Sequence, residues 1–285
     1  MLDLHLFQGI LVSTQQLDPM KTQLLCLAVA ATTSLAPAEI LTRNVEYEHN
    51  GMKFEGVLAS DTTFSTDAKR PGVLVIPEWW GLNDYAKGRA KELAAMGYVA
   101  FAVDMYGGGV STTDSKKAKE LAGPLYGSPE MAARAQAGLD QLLKTGLVDA
   151  NKVAAIGFCF GGSSCQALAY TGAPLVGIVS FHGGLVQATP EDLKNIRCKF
   201  LILNGAIDPT VKPDAIASYL KALDGAHVDY QFINYAGALH AFTNPEATKI
   251  AEANGMSGTV GYNETAARRS WAQMRMFFDE IFGVK

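Results

Sequence analysis

Short apolar runs that alternate with helical segments constrain the fold of this chain more than any other feature of its sequence. Such runs are typical of strands that are buried on both faces of a sheet. They occupy residues 73–76, 98–103, 153–156, 175–181, 200–204 and 228–235. Helices are predicted at about 83–96, 129–144, 161–171, 212–224 and 264–282. Strand and helix in alternation imply right-handed parallel crossovers, with helices on both faces of one sheet.

An antiparallel hairpin is predicted ahead of these units. Residues 44–49 and 53–59 alternate in polarity on either side of Asn50-Gly51, which is a strong signal for a two-residue hairpin turn. The predicted fold is therefore α/β, with a mostly parallel central sheet, an antiparallel N-terminal hairpin and helices on both faces. Because ligands bind beyond the carboxyl ends of the strands in such sheets, the chemistry is expected at those ends.

The amino-terminal residues are predicted to lie outside this domain. Lys21 is followed by an apolar run at 24–31 and by the small-residue sequence Ala36-Pro37-Ala38. One positive charge, a short apolar stretch and a site of this kind together make up a secretory signal peptide. We therefore expect a signal peptide over about residues 20–38, preceded by an upstream extension at 1–19, and export to the periplasm or out of the cell. The alternative is an apolar helix that packs on the domain.

The composition excludes several functional classes. Residues 39–285 fit one domain, and the chain as a whole is 48% hydrophobic and 18% charged, as in an ordinary globular protein. With 24 Lys and Arg against 28 Asp and Glu, it has no basic excess to neutralise phosphates, so nucleic acid is not an expected partner. No run after the leader is long enough to span a membrane, and no His, Cys or Asp spacing indicates a metal site. We expect a small-molecule ligand, no cofactor, and a monomer or small homo-oligomer.

One motif indicates a nucleophile at the end of the strand predicted at 153–156. Residues 157–162 read Gly-Phe-Cys-Phe-Gly-Gly, which is the G-x-S-x-G elbow with sulfur in place of oxygen. The glycines allow the sharp turn that raises the nucleophile above the sheet. The amide of Phe160 would begin the next helix and donate to a developing oxyanion. A buried structural cysteine is the alternative, but the strand before Cys159 and the helix after it favour the nucleophile.

Two further strand ends supply an acid and a histidine. Asp208 follows the strand predicted at 200–204, and His240 follows the strand predicted at 228–235. The chain order of nucleophile, acid and histidine is that of α/β-hydrolases, and it differs from the orders of chymotrypsin and subtilisin. A thiol is activated by a nearby base, and the base needs an acid to fix its tautomer. The sequence therefore predicts a triad of Cys159, Asp208 and His240.

Together with the segment Ile76-Pro77-Glu78-Trp79-Trp80-Gly81, these residues resemble the dienelactone hydrolase family, a cysteine-using branch of the α/β-hydrolase fold. The resemblance covers about residues 43–283. It implies that Glu78 contacts the nucleophile in the resting site and helps to generate the thiolate, and that the amides of Trp79 and Phe160 form the oxyanion hole. It also implies hydrolysis of a carboxylic ester or lactone, of the carboxymethylenebutenolidase type, through an acyl-enzyme.

The sequence departs from the family where the charge of the substrate is recognised. Dienelactone hydrolases hold the substrate carboxylate with two arginines, whereas the matching segments here, 104–109 and 241–244, contain none. We therefore expect a less acidic substrate, or else a replacement of the lost charge by Lys116 or Lys117. The pocket is expected to be aromatic, and its predicted lining residues are Trp79, Trp80, Tyr106, Phe160, His182 and Phe242.

Several alternatives stay open at this point. For His182, at a strand end near the site, a hydrogen-bonded structural role competes with a role in the pocket. Residues 112–126 are expected to cover the edge of the site, as lids do, and Cys165 and Cys198 are expected to be buried free thiols. For the function, the alternatives are a general carboxylesterase or other acyl hydrolase without dienelactone activity, and a non-catalytic binding protein of the same fold.

Overall fold

The predicted hairpin and the predicted apolar runs pair into one sheet of eight strands within the part of the chain that the structure describes. This computed structural model describes residues 39–63 and 68–283, so the predicted signal peptide and the segment before it lie outside the described residues. The strands are β1 (Ile40–His49), β2 (Met52–Asp61), β3 (Arg70–Ile76), β4 (Val99–Ala102), β5 (Val148–Phe158), β6 (Gly177–Phe181), β7 (Lys199–Gly205) and β8 (Tyr230–Tyr235). The helices are α1 (Asp84–Ala95), α2 (Ser115–Ala122), α3 (Pro129–Lys144), α4 (Phe160–Tyr170), α5 (Pro190–Asn195), α6 (Pro213–Gly225), α7 (Ala247–Ala253) and α8 (Glu264–Phe282).

The order of the strands places a crevice near the middle of the sheet. The order is β1-β2-β4-β3-β5-β6-β7-β8. β1 and β2 pair antiparallel, β2 pairs antiparallel with β4, and the strands from β3 to β8 are parallel. The chain leaves β3 toward β4 on one side and returns to β5 on the other, so the connections after β3 and β5 diverge. Glu78 and Cys159 follow these two strands and therefore lie at this crevice.

The sheet separates two layers of apolar side chains, because successive residues of a strand point to opposite faces. In β3, Leu74 and Ile76 pack on the side of α3 and α4, whereas Val73 and Val75 pack on the side of α1 and α8. All four side chains are fully buried. Burial on both faces accounts for the continuous apolar runs from which the strands are predicted.

The sequence signals at the ends of elements act as predicted. The side chain of Asn83 accepts a hydrogen bond from the amide of Ala86 at 3.2 Å, which caps the start of α1. Gly97 follows the end of that helix with a φ of 93°. The tight turn between β1 and β2 also forms, with positive φ at both Asn50 and Gly51.

Three helices form where periodicity predicts none. α2 lies inside the segment 112–126 that is predicted to cover the site, and the side chain of Asp114 caps it by accepting from the amide of Lys116 at 2.9 Å. α5 begins with a capping box between Thr189 and Asp192, and α7 has no side-chain cap. These helices have eight, six and seven residues, which is too short for a periodic pattern to stand out.

Residues 39–63 and 68–283 contain neither a membrane-spanning helix nor a cluster of metal-ligating side chains. No helix among them is long and apolar enough to cross a membrane. No group of three or more His, Cys, Asp or Glu in this part of the chain is arranged to hold a metal ion. Cys165 and Cys198 are buried free thiols, as the sequence predicts.

Candidate active site

The turn at Cys159 joins the end of β5 directly to the start of α4. Cys159 has φ = 53° and ψ = −116°, a strained conformation for a residue that carries a side chain. Its amide donates to the carbonyl of Phe181 at 3.0 Å and to Nδ1 of His182 at 3.1 Å, which ties the turn to the end of β6. The side chain of Cys159 is partly exposed. The turn therefore presents the thiol at the carboxyl edge of the sheet.

Two glycines of the motif are required by close approaches of the backbone. A Cβ at Gly157 would lie 2.0 Å from the carbonyl oxygen of Gly161, and a Cβ at Gly161 would lie 2.1 Å from the carbonyl oxygen of Ile76. Both distances are far shorter than side-chain carbon atoms tolerate. α4 can therefore begin directly beside the ends of β5 and β3 only because both positions are glycine.

His240 and Asp208 form a hydrogen-bonded pair. Nδ1 of His240 lies 2.7 Å from Oδ2 of Asp208. The other carboxylate oxygen, Oδ1, accepts from the amide and the hydroxyl of Thr210 at 2.8 and 2.6 Å. Burial raises the pKa of Asp208, but the hydrogen bonds with His240 and Thr210 outweigh it and hold the pKa below its usual value. Because Nδ1 is engaged by the carboxylate, Nε2 is the nitrogen left for a nucleophile or a substrate.

The position of His240 is also fixed through its backbone. Its amide donates to the carbonyl of Thr259 at 3.1 Å, and its carbonyl accepts from the amide of Gly261 at 3.0 Å. His240 and Cys159 line the same cavity. Burial lowers the pKa of His240, but the charge of Cys159 and the hydrogen bond to Asp208 raise it well above its usual value. The structure thus brings Cys159, Asp208 and His240 together.

Glu78 is buried behind these residues with only part of its carboxyl group satisfied. Its Oε2 accepts from Nδ2 of Asn244 at 2.7 Å, whereas its Oε1 is buried and has no hydrogen-bond partner among the described residues. Burial raises the pKa of Glu78 to about 7, and the hydrogen bond from Asn244 only partly offsets this. A carboxyl group with this pKa is present in both protonation states near neutral pH.

The two residues whose amides are predicted to form the oxyanion hole both lie near Cys159. Phe160 is the first residue of α4, and amides in the first turn of a helix have no acceptor within that helix. The positive end of the helix dipole lies at the same place. Trp79 follows Glu78, and it lines the same cavity as Cys159. Phe160 and Trp79 thus both border the thiol, one as its neighbour in the sequence and the other in the lining of the cavity.

The cavity above Cys159 is small and neutral. Its volume is about 300 Å³. Its lining residues are Trp79, Tyr126, Cys159, Ser163, Gly184, Thr210, His240, Met256, Thr259 and Val260. None of these described residues is Lys, Arg, Asp or Glu. The lining therefore offers a substrate anion no basic group except His240, which is already paired with Asp208, and Lys116 and Lys117 do not line it.

Several residues that are predicted to line the pocket lie behind its wall instead. Trp80 and Phe160 are buried, and Tyr106 is also buried with its hydroxyl donating to the carbonyl of Trp79 at 2.8 Å. His182 and Phe242 are fully buried, and their rings pack edge to face with centroids 5.2 Å apart. The sequence places all five near the site, but the direction of each side chain depends on packing that the sequence does not reveal. Of the six predicted lining residues, only Trp79 reaches the cavity.

The two segments without arginine are built around other contacts. Asp104 is fully buried, and its carboxylate accepts from the amides of Tyr106, Gly107, Gly109 and Glu55 at 2.8 to 3.1 Å. These hydrogen bonds close the segment 104–109 into a tight turn. In the other segment, Asn244 donates to Glu78. Both segments thus shape the site through hydrogen bonds of polar side chains, and neither contributes a Lys or Arg to it.

Comparison with known proteins agrees with this geometry. The family model described as "Dienelactone hydrolase family" matches residues 54–282. The chain belongs to the dienelactone hydrolase family. This family member is 40% identical to the solved structure named m3DLH, with a TM-score of 0.80 over 85% of this chain and 98% of that one. The predicted family and the predicted α/β-hydrolase fold are therefore confirmed.

Two further relatives of this dienelactone hydrolase family member bear on its chemistry. A crystal structure of a dienelactone hydrolase-like promiscuous phosphotriesterase from metagenomic libraries is 39% identical, with a TM-score of 0.80 over 85% of this chain and 98% of that one. A relative from Aquifex aeolicus, whose name contains carboxymethylenebutenolidase, is 29% identical over 72% of this chain and 89% of its own length.

Proposed function

We propose that this protein hydrolyses neutral carboxylic esters or lactones through an acyl-enzyme formed on Cys159. The observation that carries the proposal is the neutral cavity of about 300 Å³ into which both Cys159 and His240 face. The hydrogen bond of 2.7 Å between His240 and Asp208 supplies the support that the base needs. Membership of a hydrolase family is in accord with this reaction.

The first half of the reaction forms a thioester. Nε2 of His240 takes the proton of the Cys159 thiol, and the sulfur attacks the carbonyl carbon of the ester. The carbonyl oxygen becomes an oxyanion, to which the amides of Phe160 and Trp79 donate. The tetrahedral intermediate collapses with breakage of the carbon–oxygen single bond. The leaving alkoxide receives the proton from His240 and departs as the alcohol.

The second half of the reaction releases the acid. His240 accepts a proton from a water molecule, whose oxygen attacks the thioester carbon. The resulting oxyanion occupies the same two amides. When it collapses, the carbon–sulfur bond breaks, and Cys159 recovers the proton that His240 holds. The products are a carboxylic acid and the unchanged enzyme.

Glu78 has a supporting role in this scheme. Its carboxyl group is buried close enough to His240 for the two charges to interact. The ionised carboxylate stabilises the imidazolium that forms when Cys159 loses its proton. With a pKa of about 7, Glu78 gives this support only once the pH reaches neutrality.

The neutral cavity argues against a carboxylate-bearing substrate such as dienelactone. A substrate carboxylate in it would find no lysine or arginine as a charge-assisted partner, at a cost of roughly 1.5 to 3 kcal/mol, which is about ten- to a hundredfold in affinity. We therefore expect neutral aryl and alkyl esters to have a higher kcat/KM than the carboxylate-bearing lactone.

A panel of esters and lactones tests the proposal. Wild type, Cys159→Ala and Cys159→Ser are compared on neutral p-nitrophenyl esters, a neutral lactone and dienelactone. Loss of hydrolysis in Cys159→Ala is expected for every substrate. Unchanged hydrolysis in Cys159→Ala would contradict the mechanism, and no hydrolysis by wild type would favour a non-catalytic binding protein. A dienelactone rate far above that of the neutral esters would contradict the proposed substrate class.

Phosphotriester hydrolysis is a second candidate activity of the same site. It is favoured by the 39% identity to a promiscuous phosphotriesterase and by the neutral cavity, since a phosphotriester carries no charge. The sulfur of Cys159 would attack phosphorus and displace the aryloxide, and water activated by His240 would then cleave the phosphorus–sulfur bond. Release of p-nitrophenol from diethyl p-nitrophenyl phosphate tests it. A single burst of product without turnover would show inactivation of the thiol and would exclude this activity.

Export of the protein is a further proposal, supported by the composition of residues 20–38. Expression of the full chain in a bacterium with a periplasm, followed by amino-terminal sequencing, tests it. A mature protein that begins at Glu39 in the periplasmic fraction is expected. A full-length chain retained in the cytoplasm would contradict it.

A further inference from the structure

We propose that Thr243 is a positioning residue that holds His182 in one tautomer, and that His182 in turn holds the backbone of Cys159 in its strained conformation. This inference rests on the proposed role of Cys159 as nucleophile. It extends that role to side chains that do not line the cavity. The relevant contacts join the turn after β5, the end of β6 and the loop after His240.

The hydrogen bonds of His182 define its tautomer. Its Nδ1 accepts from the amide of Cys159 at 3.1 Å, and its Nε2 lies 2.7 Å from Oγ1 of Thr243. A backbone amide can only donate, so Nδ1 carries no proton. The ring is therefore neutral and carries its proton on Nε2, which donates to the hydroxyl oxygen of Thr243. Full burial of the ring also lowers the pKa of His182, which favours the neutral form.

Thr243 is itself held in place from two sides. Its Oγ1 lies 2.7 Å from the hydroxyl of Tyr85, and its carbonyl accepts from Nη2 of Arg89 at 3.0 Å. The guanidinium of Arg89 lies over the rings of Tyr85 and Trp271, 5.1 and 4.7 Å from their centroids. These contacts immobilise the acceptor that His182 needs. Contacts from α1 and α8 thus fix the acceptor that favours the Nε2–H tautomer of His182.

The tautomer matters because the backbone of Cys159 is under strain. The Cys159 amide is shared between the carbonyl of Phe181 at 3.0 Å and Nδ1 of His182 at 3.1 Å. If the proton of His182 moved to Nδ1, two N–H groups would face each other and one of these hydrogen bonds would be lost. A backbone with φ = 53° at Cys159 persists only where its surroundings hold it. The position of the sulfur relative to His240 would then be less well defined.

Substitution of Thr243 tests the proposal. Thr243→Val removes the acceptor with little change in volume, and we expect kcat on a neutral ester to fall by about ten- to a hundredfold. KM should change by less than about twofold, because Thr243 does not line the cavity. Thr243→Ser restores the hydroxyl and should recover kcat to within about threefold of wild type.

A matched control separates this effect from the loss of any threonine hydroxyl. Thr171 lies at the end of α4, and its hydroxyl donates to the carbonyl of Leu168 at 2.7 Å. Thr171→Val should leave kcat and KM unchanged. In His182→Asn, the side-chain oxygen can accept from the amide of Cys159, and an amide side chain has no alternative tautomer that Thr243 could control. Adding Thr243→Val to His182→Asn should therefore lower kcat little further. Additive losses in the double variant would overturn the proposal.

A spectroscopic readout makes the test independent of ester hydrolysis. In protein labelled with ¹⁵N-histidine, the two ring nitrogens of a neutral imidazole are distinguished by which one bears hydrogen, and His182→Asn assigns the signals. We expect the Nε2–H form in wild type and Thr243→Ser, and loss of that form in Thr243→Val. The same tautomer in all three proteins would overturn the inference. Wild-type protein with this tautomer but no esterase activity would contradict only the proposed function.

Discussion

The two sides of the cavity at Cys159 are built differently. The rear side, formed by Glu78, His182, Asp208, Thr243 and Asn244, consists of buried polar side chains. Hydrogen bonds of 2.7 to 3.1 Å join them to one another, to His240 or to the Cys159 turn. The front wall consists of the side chains of Tyr126, Met256, Thr259 and Val260, which are at least partly exposed.

The front wall is attached through other groups. Thr259 and Gly261 bind the backbone of His240, and the side chain of Asn254 joins the end of α7 to the start of α2. The wall therefore keeps its place through backbone groups and the side chain of Asn254, and its lining side chains can contact a substrate. We infer that the rear side governs the geometry of the reacting atoms and that the front wall governs which substrates fit. Changes at the rear should lower kcat for all substrates alike, and changes at the front should alter the ratio between substrates.

The largest effect is expected for Asp208→Asn. The buried carboxylate fixes Nδ1 of His240 as a donor, and an amide in its place favours the wrong tautomer of the ring. We expect kcat to fall by about 10³- to 10⁴-fold for large and small esters alike, with little change in KM. Steady-state kinetics on two esters of different size measures this. The exposed Asp214→Asn serves as control, and a loss confined to one of the two esters would contradict the division between rear and front.

Glu78→Gln should reveal how much the burial of an ionised carboxylate at the rear side lowers the free energy of unfolding. The pKa of Glu78 is raised from 4.5 to about 7, so the folded protein binds this proton more tightly than the unfolded chain does. The resulting stabilisation is complete below about pH 4.5 and is lost as the pH rises through about 7. The free energy of unfolding of wild type should therefore fall by about 3 kcal/mol relative to the variant across this range.

Denaturant unfolding at a series of pH values measures this difference. The control is Glu191→Gln, an exposed residue of α5, which should give a curve parallel to that of wild type over the same range. If the curve of Glu78→Gln ran parallel to that of wild type, the carboxyl group of Glu78 in wild type would have the same pKa in the folded and unfolded states. That result would contradict the prediction that ionised Glu78, buried at the rear side, lowers the free energy of unfolding.

Met256→Ala should change the selectivity without changing the chemistry. The side chain lines the front wall, and its removal deletes apolar contact with the larger part of a bulky ester. We expect KM for such an ester to rise by about tenfold, from a loss of about 1 to 1.5 kcal/mol, with kcat unchanged. An acetate ester should be almost unaffected. Met276→Ala, at a methionine of α8 that is 64% exposed, provides the matched control. An equal change for both esters would show that Met256 acts on the reacting atoms.

The smallest effect is expected for Asn254→Ala. Its Oδ1 accepts from the amide of Ser115 at 2.9 Å, and its Nδ2 donates to the carbonyl of Thr113 at 3.1 Å. Without this side chain, α2 is joined less firmly to the segment that carries Met256. We expect the ratio of kcat/KM between a bulky and a small ester to shift by only about threefold, because the two lost hydrogen bonds lie near the surface and act on the cavity indirectly. The exposed Asn151→Ala should leave this ratio as it is in wild type.

The rear and the front also differ in how much of each could be predicted from the sequence. Cys159, Asp208 and His240 follow recognisable strands, and the order of strand and helix places all three at one edge of the sheet. Glu78 is predicted from the resemblance of the segment 76–81 to the family motif. By contrast, Met256 and Val260 lie in an irregular segment after the short helix α7, where no periodicity or motif marks them.

Side-chain direction accounts for the remaining differences. Tyr106 and Phe242 are placed near the site by the sequence, yet their rings turn into the core. The partnership of His182 with Thr243 spans 61 residues of chain, and no local pattern links two such positions. The one signal that could have pointed to Thr210 is its place two residues after Asp208, since a hydroxyl at that spacing commonly bonds the carboxylate.

The backbone hydrogen bonds between His240 and residues 259–261 have a consequence for the synthesis of the protein. The thiol at Cys159 is made first, whereas the base and the segment that steadies it are made later. A growing chain that already has β5 and α4 in place therefore carries an inert cysteine. A chain that stops before Val260 lacks the Gly261 amide that donates to the carbonyl of His240. Under the proposed mechanism, hydrolysis therefore requires synthesis of the chain at least as far as Gly261.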